Sequence, residues 1–239
     1  MMKHIPNFIT SLNLTSGFIA IIFAVNGNLN TASWLIIAAM IFDFFDGFSA
    51  RILKAYSPLG KELDSLADVV SFGVAPGLII FQMLCNSLGI SNISTYPLHF
   101  KTIVILVIPA VMPVFAALRL AIFNLDETQS TTFKGMPTPA NALAVVSLVI
   151  ANHHTSSFFF TGLIQSLPFL IILTLALSLL MVSRLPLLSL KIKNFSLKGN
   201  EGRYLLFGLI TLSIALFGIA ALPLIIPLYI ASSMFSLVV

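Results

Sequence analysis

Apolar stretches long enough to cross a lipid bilayer recur along this chain, at roughly 6–25, 30–54, 64–89, 101–123, 138–152, 157–182, 204–219 and 222–238. A helical crossing takes about 20 apolar residues, so most of these qualify outright, while the fifth and the last two are short. Inside lipid every backbone polar group needs an internal partner, which leaves helices or a closed barrel. The ten-residue alternation of barrel strands is absent, so the chain is read as an all-α integral membrane protein of about eight spans. Only 8% of its residues are charged, against about 25% in a soluble domain. The start, Met-Met-Lys-His-Ile-Pro-Asn, shows no small-residue cleavage site after the first apolar run and is read as a retained helix. A single cysteine, Cys85, excludes an internal disulfide and a cysteine-based metal site.

Charge sets the expected orientation. With the N-terminus in the cytoplasm, the cytoplasmic segments hold Lys3, Arg51, Lys54, Lys61, Arg119, Lys134, Arg184, Lys191, Lys193, Lys198 and Arg203, and the opposite side holds Lys101. That asymmetry is a positive-inside pattern. All eight acidic residues also fall on the cytoplasmic side. Lys191, Lys193 and Lys198 read as a basic loop that sets topology, or as a contact for anionic headgroups. Nothing in this pattern points to nucleic acid. The final, almost uncharged residues 203–239 read as a transmembrane hairpin appended to a core over residues 1–193.

Within this apolar chain, four of the eight acids crowd between Asp43 and Asp68. Carboxylates near lipid are costly, so such a cluster marks a functional site. Asp43 and Asp46 are three apart on the second span and share a helix face, and Asp64 and Asp68 are four apart at the start of the third. Ser57-Pro58 breaks the helix between the pairs, because proline lacks an amide donor and restricts its predecessor. Two antiparallel helices can therefore aim four carboxylates into one space. Divalent cations relieve the mutual repulsion, and oxygen ligands suit Mg²⁺, Mn²⁺ or Ca²⁺. Gly47 and Gly60 leave room for a bulky phosphate beside the backbone. Arg51 can grip phosphate oxygens. Taken singly, the glycines also fit helix packing and Arg51 a topology anchor.

The segment reads Asp-x-x-Asp-Gly-x-x-Ala-Arg, eight residues, then Gly-x-x-x-Asp-x-x-x-Asp. It resembles, position for position, the signature of the CDP-alcohol phosphatidyltransferases. That resemblance implies a six-helix membrane core, residues 1–193, carrying the C-terminal two-helix hairpin. It implies transfer of a phosphatidyl group from CDP-diacylglycerol to an alcohol with release of CMP. It implies two divalent cations, Mg²⁺ or Mn²⁺, one on Asp43, Asp46 and Asp64 and the other on Asp43, Asp64 and Asp68. Asp68 would also be the base, and Gly47, Arg51 and Ser57 would contact the CDP-lipid. Pro6-Asn7-Phe8-Ile9-Thr10 looks like the family's N-terminal nucleotide element, although Asn and Thr at a helix start also serve as caps. A homodimer in the cytoplasmic membrane, with N-terminus and active site on the cytoplasmic side, is the corresponding expectation.

The acceptor is read from flanking segments. Asp64-Ser-Leu-Ala-Asp-Val-Val-Ser-Phe-Gly-Val-Ala-Pro76, Arg119-Leu-Ala-Ile-Phe-Asn124, Phe133-Lys-Gly-Met-Pro-Thr-Pro-Ala140 and Met181-Val-Ser-Arg-Leu-Pro186 are similar to the serine-accepting branch of the family. Ile122 departs from it, standing where a basic residue is expected. L-Serine carries a carboxylate, for which Arg119 or Arg184 is the candidate partner; both also fit as topology anchors. Lys134 and Thr138 would shape the same entrance. A phosphorylated acceptor, glycerol 3-phosphate or inositol phosphate, is the alternative, but it would want clustered basic residues beside the metals. A transporter lined by the aspartates fits poorly, since these acids lie near one boundary and no inverted repeat is seen.

Overall fold

The computed structural model describes residues 4–92, 99–125, 133–155, 157–188 and 200–236. Lys3, Lys191, Lys193 and Lys198, named above, lie outside the described residues. The fold is all-α apart from one minimal strand pair, and every apolar stretch is helical where described. Among the described residues, Ile5–Val25, Pro58–Ser87, Phe100–Leu125 and Glu201–Phe235 are long and apolar enough to cross a membrane, and Phe158–Gln165 with Leu167–Val182 form a bent pair that is either a broken span or a re-entrant loop.

Helix α1 (Ile5–Val25) starts with Pro6 in its first turn, where a missing amide costs nothing. Helix α2 (Leu29–Ile52) starts at Asn28, whose side chain accepts from the Thr31 amide at 3.2 Å. Between them Gly27 takes a φ of 79°, so the two helices run antiparallel. Small residues are buried where the two helices pack, Ala20 and Ala24 of α1 and Ala32, Ser33 and Ala39 of α2. Small side chains let backbones approach in lipid, and the Ser16 hydroxyl donates directly to the Leu35 carbonyl at 2.8 Å.

The expected break holds. Ser57 is the N-cap of α3 (Pro58–Asp68), its Oγ accepting from the Gly60 amide at 3.0 Å, and Pro58 occupies the first turn. The third span is not a plain α-helix, however. Immediately after Asp68 the chain widens into a π-helical segment, Val69–Val74, before resuming as α4 (Ala75–Ser87). The Ala75 amide donates to Val70, five residues back. Such insertions are rare and frequently accompany functional sites. This one is gripped from two sides. A Cβ on Gly17 would collide with Ser71, whose hydroxyl donates to the Asn13 carbonyl at 3.0 Å. A Cβ on Gly73 would stand 3.0 Å from Ala116 Cβ and 3.1 Å from Pro113 Cα.

Those last two residues belong to the span Phe100–Leu125, made of α5 (Phe100–Val107) and α6 (Val111–Leu125), joined through a 3₁₀ turn at Pro109. Helix α7 (Thr138–Thr155) is the central helix, buried continuously from Ala144 to Ala151. The expected single span over 157–182 is broken into α8 (Phe158–Gln165) and α9 (Leu167–Val182), which meet at 74°. The cause is local: Ser166 is extended and caps α9 through the Phe169 amide, and Pro168 sits in its first turn. Strands β1 (Phe133–Lys134) and β2 (Pro186–Leu187) pair antiparallel. Between β1 and α7, Gly135 takes a φ of 80°, with the Met181 and Ser183 carbonyls where a Cβ would stand.

Finally α10 (Glu201–Phe217) turns through Gly218–Leu224 into α11 (Ile225–Phe235). The two helices lie side by side. Gly202 at the start of α10 abuts Ser232 and Ser236 at the far end of α11. The connecting turn packs on α7.

Candidate active site

Asp43 and Asp46 come from the second half of α2, and Asp64 and Asp68 from the facing side of α3. Asp43, Asp64 and Asp68 each present a carboxylate oxygen within 4.8 Å of the others. Asp46 follows one turn beyond Asp43, is 5% exposed, and lies within electrostatic reach of Asp64. Bare carboxylates this close repel one another strongly in a low-dielectric setting. Asp46 Oδ2 and Asp64 Oδ1 are buried and have no hydrogen-bond partner among the described residues. Buried polar atoms are normally satisfied. Asp43, Asp64 and Asp68 form an all-oxygen donor set fit for a hard divalent cation, and Asp46 stands beside that group rather than within it.

Asp68 is held differently. Only 7% exposed, it receives the Asn13 amide on Oδ1 at 3.4 Å and the Thr138 hydroxyl on Oδ2 at 3.3 Å. Contacts from α1 and α7 therefore fix the rotation of the carboxylate. Asn13 went unremarked in the sequence because it carries no motif; it reads there as one polar residue in an apolar helix.

Beside the carboxylates lies a cavity of about 470 Å³. It is lined by Pro6, Asn7 and Thr10 of α1, Asp46, Gly47 and Ala50 of α2, and Ser57, Gly60, Lys61 and Asp64 around the start of α3. Pro6, Asn7, Gly47 and Ser57 are thus brought together as expected from the motif. A Cβ on Gly47 would meet nothing within 4 Å, so its bare face is open space. Gly60 has Asn7 Oδ1 and Ser57 Oγ each 3.0 Å from where its Cβ would be. Arg51 is not among the lining residues; it is exposed, one turn beyond Gly47. Tyr56 and Lys61, not singled out by the sequence, also line the cavity. The Lys61 ammonium donates to the Asn124 carbonyl at 3.0 Å, which ties α3 to the end of α6.

The two candidate arginines part company. Arg184 is exposed, just past α9. Arg119 is 9% exposed, its guanidinium 5.8 Å from the Phe123 ring centroid and within electrostatic reach of Asp68. Its Nε has no partner among the described residues, and the same is true of both amide atoms of Asn141 and of the Ser178 hydroxyl. Asn141 lies one turn along α7 from Thr138. Ile122 is 53% exposed and takes no part in this interior.

Comparison with known proteins agrees with this geometry. Residues 3–181 match the family described as CDP-alcohol phosphatidyltransferase. A CDP-diacylglycerol–serine O-phosphatidyltransferase of Mycobacterium leprae is 36% identical over 193 residues, which is 78% of this chain and 58% of that protein. The Bacillus subtilis protein of the same name is 36% identical over 147 residues, 62% of this chain and 76% of its own length. An archaetidylserine synthase of Methanothermobacter thermautotrophicus is 33% identical over 181 residues, covering 75% of this chain and 67% of its own. The matched segment holds all four aspartates and the cavity they border, and the chain belongs to the CDP-alcohol phosphatidyltransferase family.

Proposed function

We propose that this chain transfers the phosphatidyl group of CDP-diacylglycerol to the hydroxyl of L-serine, giving phosphatidylserine and CMP. The observation that carries the reading is the convergence of Asp43, Asp64 and Asp68 beside a cavity that ends on Asp46 and Asp64. Relatives named for serine transfer support the acceptor. Asp43, Asp46 and Asp64 would hold one divalent cation and Asp43, Asp64 and Asp68 a second, Mg²⁺ or Mn²⁺. Bound there, such ions supply charge neutralisation for a diphosphate and its departing half.

The protein's own residues do the rest. The cavity takes the CDP-linked headgroup, with Pro6, Asn7 and Ser57 along its walls and Gly47 leaving the space that a phosphate needs. Asp68, oriented by Asn13 and Thr138, accepts the proton of the acceptor hydroxyl. The freed oxygen bonds to the phosphorus that carries diacylglycerol, and the anhydride bond breaks to release CMP. Holding the two reactants in line supplies much of the acceleration. Arg119, buried beside Asp68, is placed to pair with the serine carboxylate, and the unpartnered Asn141 amide offers further polar contacts. The positive-inside pattern supports an active site on the cytoplasmic face of the cell membrane, and the family resemblance supports a homodimer.

Labelled serine incubated with CDP-diacylglycerol and Mn²⁺ should appear in lipid, with CMP released; incorporation of glycerol 3-phosphate instead would overturn the serine assignment. Arg119→Ala should raise the serine KM by about tenfold or more, the scale of a lost charge-assisted pair, whereas Arg184→Ala should leave it near wild type. Equal effects in both variants would remove Arg119 from the acceptor site. Gly47→Val should fold normally, because no atom lies within 4 Å of its Cβ position. It should nonetheless raise the CDP-diacylglycerol KM by filling the cavity, and an unchanged KM would place the headgroup elsewhere.

A further inference from the structure

The C-terminal hairpin lies outside the family-matched residues 3–181, yet one face of α11 is turned into the protein. Ile226, Tyr229, Ser232 and Ser233 are buried. Tyr229 donates its hydroxyl to the Leu188 carbonyl at 2.9 Å, and the Leu188 amide donates to Ser233 Oγ at 3.1 Å. Both backbone groups of Leu188 are therefore held by α11. Leu188 directly follows β2, and β2 pairs Leu187 with Phe133 and Pro186 with Lys134. The next residues of that connection are tied in turn, the Gly135 amide to the Leu185 carbonyl at 3.0 Å and the Met136 amide to Leu180 at 2.9 Å. Two residues later Thr138 donates to Asp68. A chain of hydrogen bonds and strand pairing thus runs from α11 to the carboxylate. The Tyr229 phenol also lies within electrostatic reach of Arg119.

A helix that served only to widen the lipid face would need none of these contacts. Polar groups buried in a membrane protein are costly unless matched, and here the matches fall on the segment that leads to Thr138. We propose that Tyr229 is a positioning residue of the acceptor pocket: by anchoring Leu188, it makes the C-terminal hairpin part of the machinery that seats the acceptor alcohol. The proposal rests on the reading of Asp68 and Arg119 as the acceptor side of the site. It locates acceptor affinity partly in a helix outside the family-matched residues 3–181.

The test separates the acceptor side of the site from the CDP-lipid side. Tyr229→Phe keeps the ring and removes only the hydroxyl. It should raise the KM for serine about fivefold, as expected for one lost hydrogen bond, with the CDP-diacylglycerol KM unchanged. Ser233→Ala, which removes the acceptor for the Leu188 amide, should shift the serine KM in the same direction. Loss of folded protein or parallel changes in both KM values in the two variants would mean a purely structural role and would overturn the proposal, as would an unchanged serine KM. The acceptor is established first with the wild-type protein. If it incorporates glycerol 3-phosphate rather than serine, the serine reading fails, and the KM of Tyr229→Phe for that alcohol decides the proposal. A wild type that incorporates neither overturns both.

Discussion

Asp68→Asn is expected to lower kcat by about a thousandfold, within the range for losing a positioned general base. The amide keeps the shape of the side chain but cannot take a proton. It also sets an NH₂ group against either the Asn13 amide or the Thr138 hydroxyl, which meet Asp68 at 3.4 Å and 3.3 Å. Binding of CDP-diacylglycerol should persist, because the cavity is lined by Asp46 and Asp64 and not by Asp68. Single-turnover assays of CMP release, alongside binding of the CDP-lipid, separate the two effects. A variant retaining more than about a tenth of wild-type kcat would rule Asp68 out as the base.

The second large effect concerns the cations. Both proposed ion sites share Asp43 and Asp64, so Asp43→Asn or Asp64→Asn should abolish Mn²⁺ binding and activity together. Mn²⁺ at a hundred times its Kd should stabilise the wild-type protein by about 2.7 kcal/mol per site through mass action. That stabilisation, read as a rise in unfolding temperature in detergent, should vanish in either variant. Without metal the same variants should be at least as stable as wild type, because each removes one charge from carboxylates whose oxygens lie within 4.8 Å. Mn²⁺-dependent stabilisation that survives in Asp64→Asn would contradict a shared ligand set. Activity that withstands exhaustive chelation would contradict a metal requirement altogether.

Much of the site was legible before any coordinates. Spacings of three and four put each aspartate pair on one helix face, and Ser57-Pro58 announced the turn that brings the pairs together. Ser57 does cap α3, with Pro58 in its first turn. The kink at Ser166 was written in the same chemistry, a capping serine two residues before a proline, but a long apolar run masked it. Other features left no local trace. The π segment after Asp68 arises where Gly17 and Ser71 meet on one side and Gly73 and Pro113 on the other, and neither contact is visible from composition or periodicity. Asn13 and Asn141 gain meaning only from what surrounds them.

The amino-acid sequence by itself determined the class of fold, the four carboxylates and the chemistry open to them, because hydropathy and helical spacing act over a few residues at a time. Tertiary structure alone decided which of two equivalent-looking arginines is buried near Asp68. Glycine contacts let α6 close against the π segment, burying Arg119 near Asp68, while Arg184 stays exposed beyond α9. It also decided that an apolar C-terminal hairpin reaches the segment leading to the proposed base. Both outcomes depend on the packing of residues distant in the chain, and that packing is set by which surfaces can approach rather than by any local pattern.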